Sequence, residues 1–240
     1  MHVYSESALR KIQEVIDLEL RPTKGVQLLF SSRITPEDKR LYSQLESIGD
    51  ALLRVALLRG SPADKAVSKL DQLQSNVTLT EIAQRHKCAT HFCGSASDAL
   101  ECLFALVFEQ EGYEKAIDVI LALYREKKYL PQKADEAMNL RLVDALAGLV
   151  FRLYIRTMYP ETESREMNIR AKCLCKGNIL KVILEKAFEG ETSERLALLR
   201  YCHYEGFEPM QTRILSALPT TAADARHFVE KYQPTDVRHF

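Results

Sequence analysis

The 240-residue chain lacks long hydrophobic runs, and no apolar stretch approaches the roughly 20 residues that a membrane-spanning helix needs. Its amino terminus also lacks the hydrophobic region of a signal peptide. The acidic residues Glu6, Glu14, Asp17 and Glu19 argue against a typical transit peptide, because such peptides contain few acids. We therefore expect an intracellular protein without membrane contact, in the cytoplasm or nucleus, with an organellar location left open.

The chain also lacks an excess of charge of either sign. Lysine plus arginine and aspartate plus glutamate each number 33, so the formal net charge is zero. No global positive field is present to attract nucleic acid, and any such binding has to come from local basic patches.

Strand signals are absent as well, since no alternating β-branched runs are joined by tight turns. Residues 35–38, with the sequence TPED, predict the cap and first turn of a long helix that ends near Gly60. The residues 61–62 are expected to open another helix, and Thr78 with Glu81 predicts a capping box. These patterns predict an all-α fold.

Cysteine is present at six positions, which we expect to be reduced thiols in a chain large enough to fold without disulfides. The segment 86–93, HKCATHFC, offers an alternative: a zinc-stabilised helical interaction module, with Cys173 and Cys175 as further ligands. Its spacing matches no established zinc motif well, and a free cysteine is commonly a small buried apolar residue.

Four acids lie within two apolar stretches: Glu46 and Asp50 in LESIGDALL, and Asp98 and Glu101 in SDALECLFALVF. Their spacings of four and three residues place each pair on one face of a helix. Burial of an unpaired carboxylate costs several kcal/mol or neutralises the group, so a converging cluster calls for cations such as divalent metal ions. The alternative is a set of surface salt bridges to arginines such as Arg40 or Arg54.

The chain contains a loose internal repeat with three anchors in the same order. The segment 49–62 recurs as 143–160, the sequence around Asn76 recurs around Asn178, and 111–114 recurs as 205–208. Both asparagines are expected to cap helices. The repeat predicts two domains, residues 1–127 and 128–240.

The second copy lacks most of the acids. Leu140 corresponds to Glu46, Thr192 to Asp98 and Arg195 to Glu101, and only Asp144 retains the acid of Asp50. One carboxylate does not hold two divalent ions, so we expect the second domain to be a structural partner of the first.

These residues resemble the ribonuclease III family. Residues 44–51, QLESIGDA, are similar to the signature segment of that family, 75–83 to the helix that follows it, and 98–114 to its second acidic motif. The resemblance covers residues from about Gly25 to Tyr124 and extends further only through the repeat. It implies a catalytic domain followed by a degenerate copy, packed as an intramolecular pseudodimer.

The resemblance further implies a magnesium-dependent endoribonuclease that hydrolyses double-stranded RNA, with Mn²⁺ as a substitute ion. Glu46, Asp50, Asp98 and Glu101 would bind the metal, and Asp50 and Glu101 would be catalytic. Basic residues are candidates for contacts with phosphates: Arg85, Lys87, Lys127 and Lys128. Expected partners are double-stranded RNA, an accessory RNA-binding protein that adds affinity, and, in place of the monomeric pseudodimer, a second copy of the chain.

Three positions depart from the family pattern: Ser43 replaces an acid, Ser47 replaces a large apolar residue, and Gly94 replaces a lysine. The loss at Ser47 weakens the expectation of homodimer packing, and the losses at Ser43 and Gly94, together with the degenerate repeat, favour a rival hypothesis. In that hypothesis the chain is a non-catalytic ribonuclease III-fold scaffold subunit of a ribosome or an RNA-processing complex. Retention of all four acids opposes it.

Overall fold

The structure, a computed structural model, describes residues 6–31, 35–60, 70–125, 140–191, 193–221, 223–225 and 227–228. Throughout this part of the chain the regular elements are helices and no strand occurs, which confirms the all-α prediction. The chain forms two compact units, Met1–Asn139 and Leu140–Phe240. The predicted boundary at 127/128 falls in segment 126–139, outside the described residues, and stays a prediction. Among the described helices, none has both the length and the apolar character needed to cross a bilayer.

The first unit is built around one long helix. Its described helices are α1 (Glu6–Ile16), α2 (Lys24–Leu28), α3 (Pro36–Arg59), α4 (Asn76–Arg85), α5 (Ala96–Glu111) and α6 (Tyr113–Arg125), with a short 3-10 helix at Ala89–His91. The most extensive helix contact in the unit is between α3 and α5. Both helices are buried along most of their length, and each fully buried leucine or phenylalanine contributes about 1.5–3 kcal/mol.

The start of α3 is as predicted. The Thr35 hydroxyl accepts a hydrogen bond from the backbone N–H of Asp38, whose carboxylate accepts one from the Thr35 N–H, and Pro36 occupies the first turn. This capping box satisfies backbone donors that would otherwise have no partner in the helix. The helix ends at Arg59, with Gly60 as the C-cap, as expected.

The start of α4 was predicted wrongly. Ser75 is the N-cap, and its hydroxyl accepts from the backbone N–H of Thr78, so Thr78 lies inside the first turn and does not cap the helix. The predicted asparagine caps are wrong as well. Asn76 is the first residue of α4, and Asn178 is the second residue of the helix Gly177–Ala187, whose N-cap is Lys176. The helix predicted to open at 61–62 lies outside the described residues.

The second unit contains α7 (Leu140–Met158), α8 (Ser164–Leu174), α9 (Gly177–Ala187), α10 (Glu194–Tyr204) and α11 (Phe207–Ser216) among its described residues. One turn has the same geometry in both units. Gly112 separates α5 from α6 with φ +85°, and Gly206 separates α10 from α11 with φ +97°. The next residue, Tyr113 or Phe207, is buried in each case. A positive φ favours glycine over any residue with a Cβ. Gly112 and Gly206, which the internal repeat aligns, therefore meet the same backbone requirement for glycine.

Candidate functional site

The four predicted acids lie on α3 and α5, the two helices with the most extensive contact in the first unit. Glu46 and Asp50 are one turn apart on α3, and Asp98 and Glu101 lie in the first half of α5. Three of the four are half-buried, whereas Glu101 is only 7% exposed. Charged residues are rarely buried to this degree without a partner.

Gly49 determines how closely the two helices approach at this point. A Cβ at Gly49 would lie 1.8 Å from the carbonyl oxygen of Glu101 and 2.4 Å from its carbonyl carbon. Only glycine fits so close to another backbone. Because Gly49 lies next to Asp50 and one turn from Glu46, the missing side chain brings both α3 acids towards Glu101.

Three of the acids converge. One carboxylate oxygen each from Glu46, Asp98 and Glu101 lies within 4.8 Å of the others, a spacing that suits a shared metal ion. Asp50 is outside this group, although its charge is the strongest of the neighbouring charges acting on Glu101. Asp50 can act strongly on Glu101 and still be outside the group if its carboxylate is near Glu101 but more than 4.8 Å from Glu46 or Asp98. The predicted four-acid site is therefore a trio with a neighbouring fourth carboxylate.

The electrostatics of this acidic trio are unfavourable without a cation. Burial, followed by the charges of Asp50, Glu46 and Asp98, raises the pKa of Glu101 from 4.5 to about 9. Burial and the charges of Asp98 and Asp50 also raise the pKa of Glu46. Both shifts mean that folding disfavours the charged forms of these groups, and nearby positive charge would oppose this effect.

No side chain supplies that positive charge within the described residues. None of the four acids forms an ion pair with a described lysine, arginine or histidine, and the ion pairs of the first unit lie elsewhere. The alternative of salt bridges to Arg40 or Arg54 is therefore wrong for these four acids. The site has oxygen ligands and an unmet need for cationic charge, and this combination fits Mg²⁺ or Mn²⁺.

The predicted phosphate-binding residues are not equivalent in the structure. Lys87 is exposed, at φ +56° just beyond α4. Arg85 is only half-buried, and its Nη1 atom is buried without a hydrogen-bond partner. Lys127 and Lys128 lie outside the described residues. Only Lys87 of the described pair has the full exposure expected of a residue that contacts phosphate.

The zinc alternative is not supported. Among the described histidines, cysteines and acids, the acidic trio is the one group close enough to share a metal ion, and the segment 86–93 does not form such a group. The Cys88 thiol is buried and donates to the carbonyl of Ala83, and all six cysteines are free thiols.

Two residues that were not predicted from the sequence, Tyr42 and Cys102, border the acidic trio. Tyr42 lies one turn before Glu46 on α3, and the thiol of Cys102, next to Glu101, donates to the Tyr42 carbonyl. Burial first, then the charges of Cys102 and Asp98, raise the pKa of Tyr42 far above its usual value. The four-residue spacing from Glu46 is the signal that identifies Tyr42. The Ser43 hydroxyl donates to the Arg40 carbonyl, and Gly94 adopts φ +97°.

The corresponding position in the second unit contains an ion pair. Arg195 donates to Asp144 at 2.6 Å, with both side chains partly exposed. Val143, at the repeat position of Gly49, is fully buried, and its Cβ excludes the backbone approach that Gly49 allows. Thr192 lies outside the described residues.

Comparison with known proteins adds no relative. No protein-family model, curated protein or solved structure matches this chain.

Proposed function

We propose that the chain is a magnesium-dependent endoribonuclease of the ribonuclease III kind, which hydrolyses phosphodiester bonds of double-stranded RNA at one acidic centre in its first unit. The observation that supports this most directly is the acidic trio itself. Three carboxylate oxygens within 4.8 Å of one another, one of them from a glutamate that is 7% exposed, have no cationic partner among the described residues. A purely structural core gains nothing from such an arrangement.

In this proposal Glu46, Asp98 and Glu101 hold the metal, and Asp50 extends the site beside Glu101. Bound magnesium supplies charge that offsets the negative oxygens of a phosphodiester during in-line displacement. The protein contributes rigidity, because the backbones of α3 and α5 approach closely at Gly49 and hold together the two helices that carry the carboxylates. Glu101 and Asp50 are the residues proposed to face the reacting phosphate.

We propose that the second unit is a degenerate copy and the structural half of an intramolecular pseudodimer. Two observations support the copy: the glycine turn with positive φ recurs at Gly112 and Gly206, and Asp144 pairs with Arg195 at the positions that the repeat aligns with Asp50 and Glu101. The guanidinium neutralises Asp144 from within the chain, so that unit has no need of a metal ion. A single working centre would nick one RNA strand per encounter.

RNA binding is proposed to be weak and dependent on salt. The net charge of zero supplies no long-range attraction, and Lys87 is one exposed cation close to the 3-10 helix of the first unit. A-form duplex is recognised by shape, phosphates and 2′-hydroxyls, so a few local contacts with phosphates suffice for positioning. An accessory RNA-binding protein would supply further affinity. The six free thiols fit a reducing, intracellular setting.

The test is cleavage of a duplex whose two strands carry different labels, with the intact chain and Mg²⁺. Glu101→Ala and Asp50→Asn should abolish cleavage, whereas the matched control Asp144→Asn, which changes the corresponding acid of the second unit, should retain it. Equal and simultaneous cleavage of both strands by a monomer would contradict the single-centre proposal. Cleavage that survives Glu101→Ala would contradict the nuclease assignment to this site.

The second candidate is a non-catalytic scaffold subunit. It is favoured by the position of Asp50 outside the acidic trio and by the loss of the expected acid at Ser43. A chain that binds duplex RNA or a ribonucleoprotein partner, but leaves both labelled strands intact with Mg²⁺ or Mn²⁺, would establish this role in place of the nuclease.

A further inference from the structure

Two serine hydroxyls hold the carboxylate of Asp98. Ser95 is the N-cap of α5, and the Ser95 and Ser97 hydroxyls both lie 3.0 Å from Asp98 Oδ1. The two hydroxyl oxygens are 2.6 Å apart, so they form a hydrogen bond with each other. The three side chains form a closed hydroxyl–carboxylate ring, and its carboxylate belongs to the acidic trio.

Proton counting shows which hydroxyl matters more. Each serine has one hydroxyl proton, and the contact between the two serines uses one of the two. The remaining proton reaches Asp98 Oδ1 from either serine. Ser97 is 1% exposed and has no access to water as a partner, whereas Ser95 is exposed and exchanges its partners with solvent. Ser97 is therefore the member that keeps the ring closed.

Helix capping alone does not explain this arrangement. Thr35 and Asp38 have the same spacing at the start of α3, and there the aspartate accepts from the backbone N–H of the cap residue. Among the described residues, Asp98 has no such bond to the Ser95 N–H and accepts from hydroxyls instead. The Asp98 carboxylate thus accepts hydrogen bonds from side-chain hydroxyls and not from the backbone of the cap residue, and these hydroxyls fix its orientation.

We propose that Ser97, with Ser95 as its relay, is a positioning residue that orients the Asp98 carboxylate for the metal ion. This proposal rests on the proposed function, because it assumes a metal ion at the acidic trio. Residues that orient a metal ligand typically change metal affinity by about 10–100-fold when removed. Ser97→Ala should therefore weaken metal binding by about tenfold.

The experiment titrates the intact chain with Mn²⁺ and measures free and bound ion by electron paramagnetic resonance. Thermal unfolding in EDTA is measured in parallel. Ser97→Ala is expected to raise the Mn²⁺ dissociation constant about tenfold and leave metal-free unfolding almost unchanged, since alanine is the best helix former. Ser95→Ala should raise the constant less, because Ser97 still reaches Asp98 directly.

The matched control is Ser75→Ala. Ser75 caps α4 with a comparable hydrogen bond to the N–H of Thr78, and its hydroxyl contacts no acid. Removal of the capping hydroxyl in Ser75→Ala should lower the melting temperature without changing the Mn²⁺ affinity. Ser97→Ala should show the opposite pattern, which a merely structural serine would not produce.

Each outcome decides a different question. If the unchanged chain binds no Mn²⁺, the metal centre of the proposed function is wrong and the positioning role fails with it. If the unchanged chain binds Mn²⁺ and Ser97→Ala binds it equally well, only the positioning role fails. A Ser97→Ala chain that loses its helical fold in EDTA, or a Ser95→Ala chain that binds Mn²⁺ more weakly than Ser97→Ala, also overturns it.

Discussion

Replacement of Glu101 by glutamine tests the physical state of the acidic trio. Glutamine keeps the size and shape of the side chain but replaces the ionisable carboxylate with a neutral amide. The pKa of Glu101 is raised from 4.5 to about 9, chiefly by burial and then by Asp50, Glu46 and Asp98. A raised pKa on an acid means that the metal-free folded state binds a proton that the unfolded chain releases. In the metal-free protein, the contribution of Glu101 to stability is therefore fully present below about pH 4.5 and is lost as the pH rises towards 9.

The magnitude follows from proton linkage. Each pH unit within that window lowers the free energy of unfolding by up to about 1.4 kcal/mol. Between about pH 5 and pH 8 the metal-free chain therefore loses up to about 4 kcal/mol, and the melting temperature of the first unit falls by roughly 10 °C. Glu101→Gln should remove most of this slope. A shallower slope should remain, because burial also raises the pKa of Glu46.

The assay is thermal unfolding in EDTA across this pH range, repeated with excess Mg²⁺. The matched control is Glu111→Gln, which neutralises an exposed acid at the end of the same helix and should leave the slope unchanged. Magnesium at about 100 times its dissociation constant should stabilise the unchanged chain by about 2.7 kcal/mol and the Glu101→Gln chain by much less. A stability of the metal-free unchanged chain that does not vary with pH would refute this prediction. A metal-free Glu101→Gln chain that is less stable at pH 8 than the metal-free unchanged chain would also refute it.

Three further outcomes are expected. Gly49→Ala should lower the free energy of unfolding by about 3 kcal/mol and weaken Mn²⁺ binding, because its Cβ would lie 1.8 Å from the Glu101 carbonyl oxygen. The control Gly177→Ala, where a Cβ meets nothing within 4 Å, should have neither effect in parallel unfolding and Mn²⁺ titrations. Arg195→Ala should change stability by less than about 1 kcal/mol in denaturant unfolding, because its ion pair with Asp144 is partly exposed. EDTA should abolish duplex cleavage and Mg²⁺ should restore it in the strand-labelled assay; cleavage that persists in EDTA would contradict a metal-dependent mechanism.

Local chemistry explains the predictions that were confirmed. The cap, proline and acids of TPED act within one turn, so α3 begins where its own residues place it. The prediction for the start of α4 was wrong because two neighbouring residues can cap a helix there. Ser75 and Thr78 both offer hydroxyls to backbone N–H groups, and the choice between them depends on the turn before the helix, where the Thr78 hydroxyl donates to the Gln72 carbonyl.

Part of the candidate site could be predicted from the sequence, and part could not. Spacing alone places Glu46 with Asp50, and Asp98 with Glu101, on common helix faces. Spacing does not show that Asp50 falls outside the acidic trio, or that Arg85 has a buried guanidinium nitrogen. Those details depend on the angle and separation of helices that are far apart in sequence.

The order of residues by itself determined that the chain is helical and which acids share a helix face, because hydrogen bonds and side-chain periodicity within a helix act over three or four residues. Only the tertiary structure decided that Glu46, Asp98 and Glu101 meet. Their meeting depends on the crossing of α3 and α5, which is set by the absence of a Cβ at Gly49 and by the burial of both helices. The same packing keeps water away from Glu101, and no local pattern in the chain encodes that exclusion.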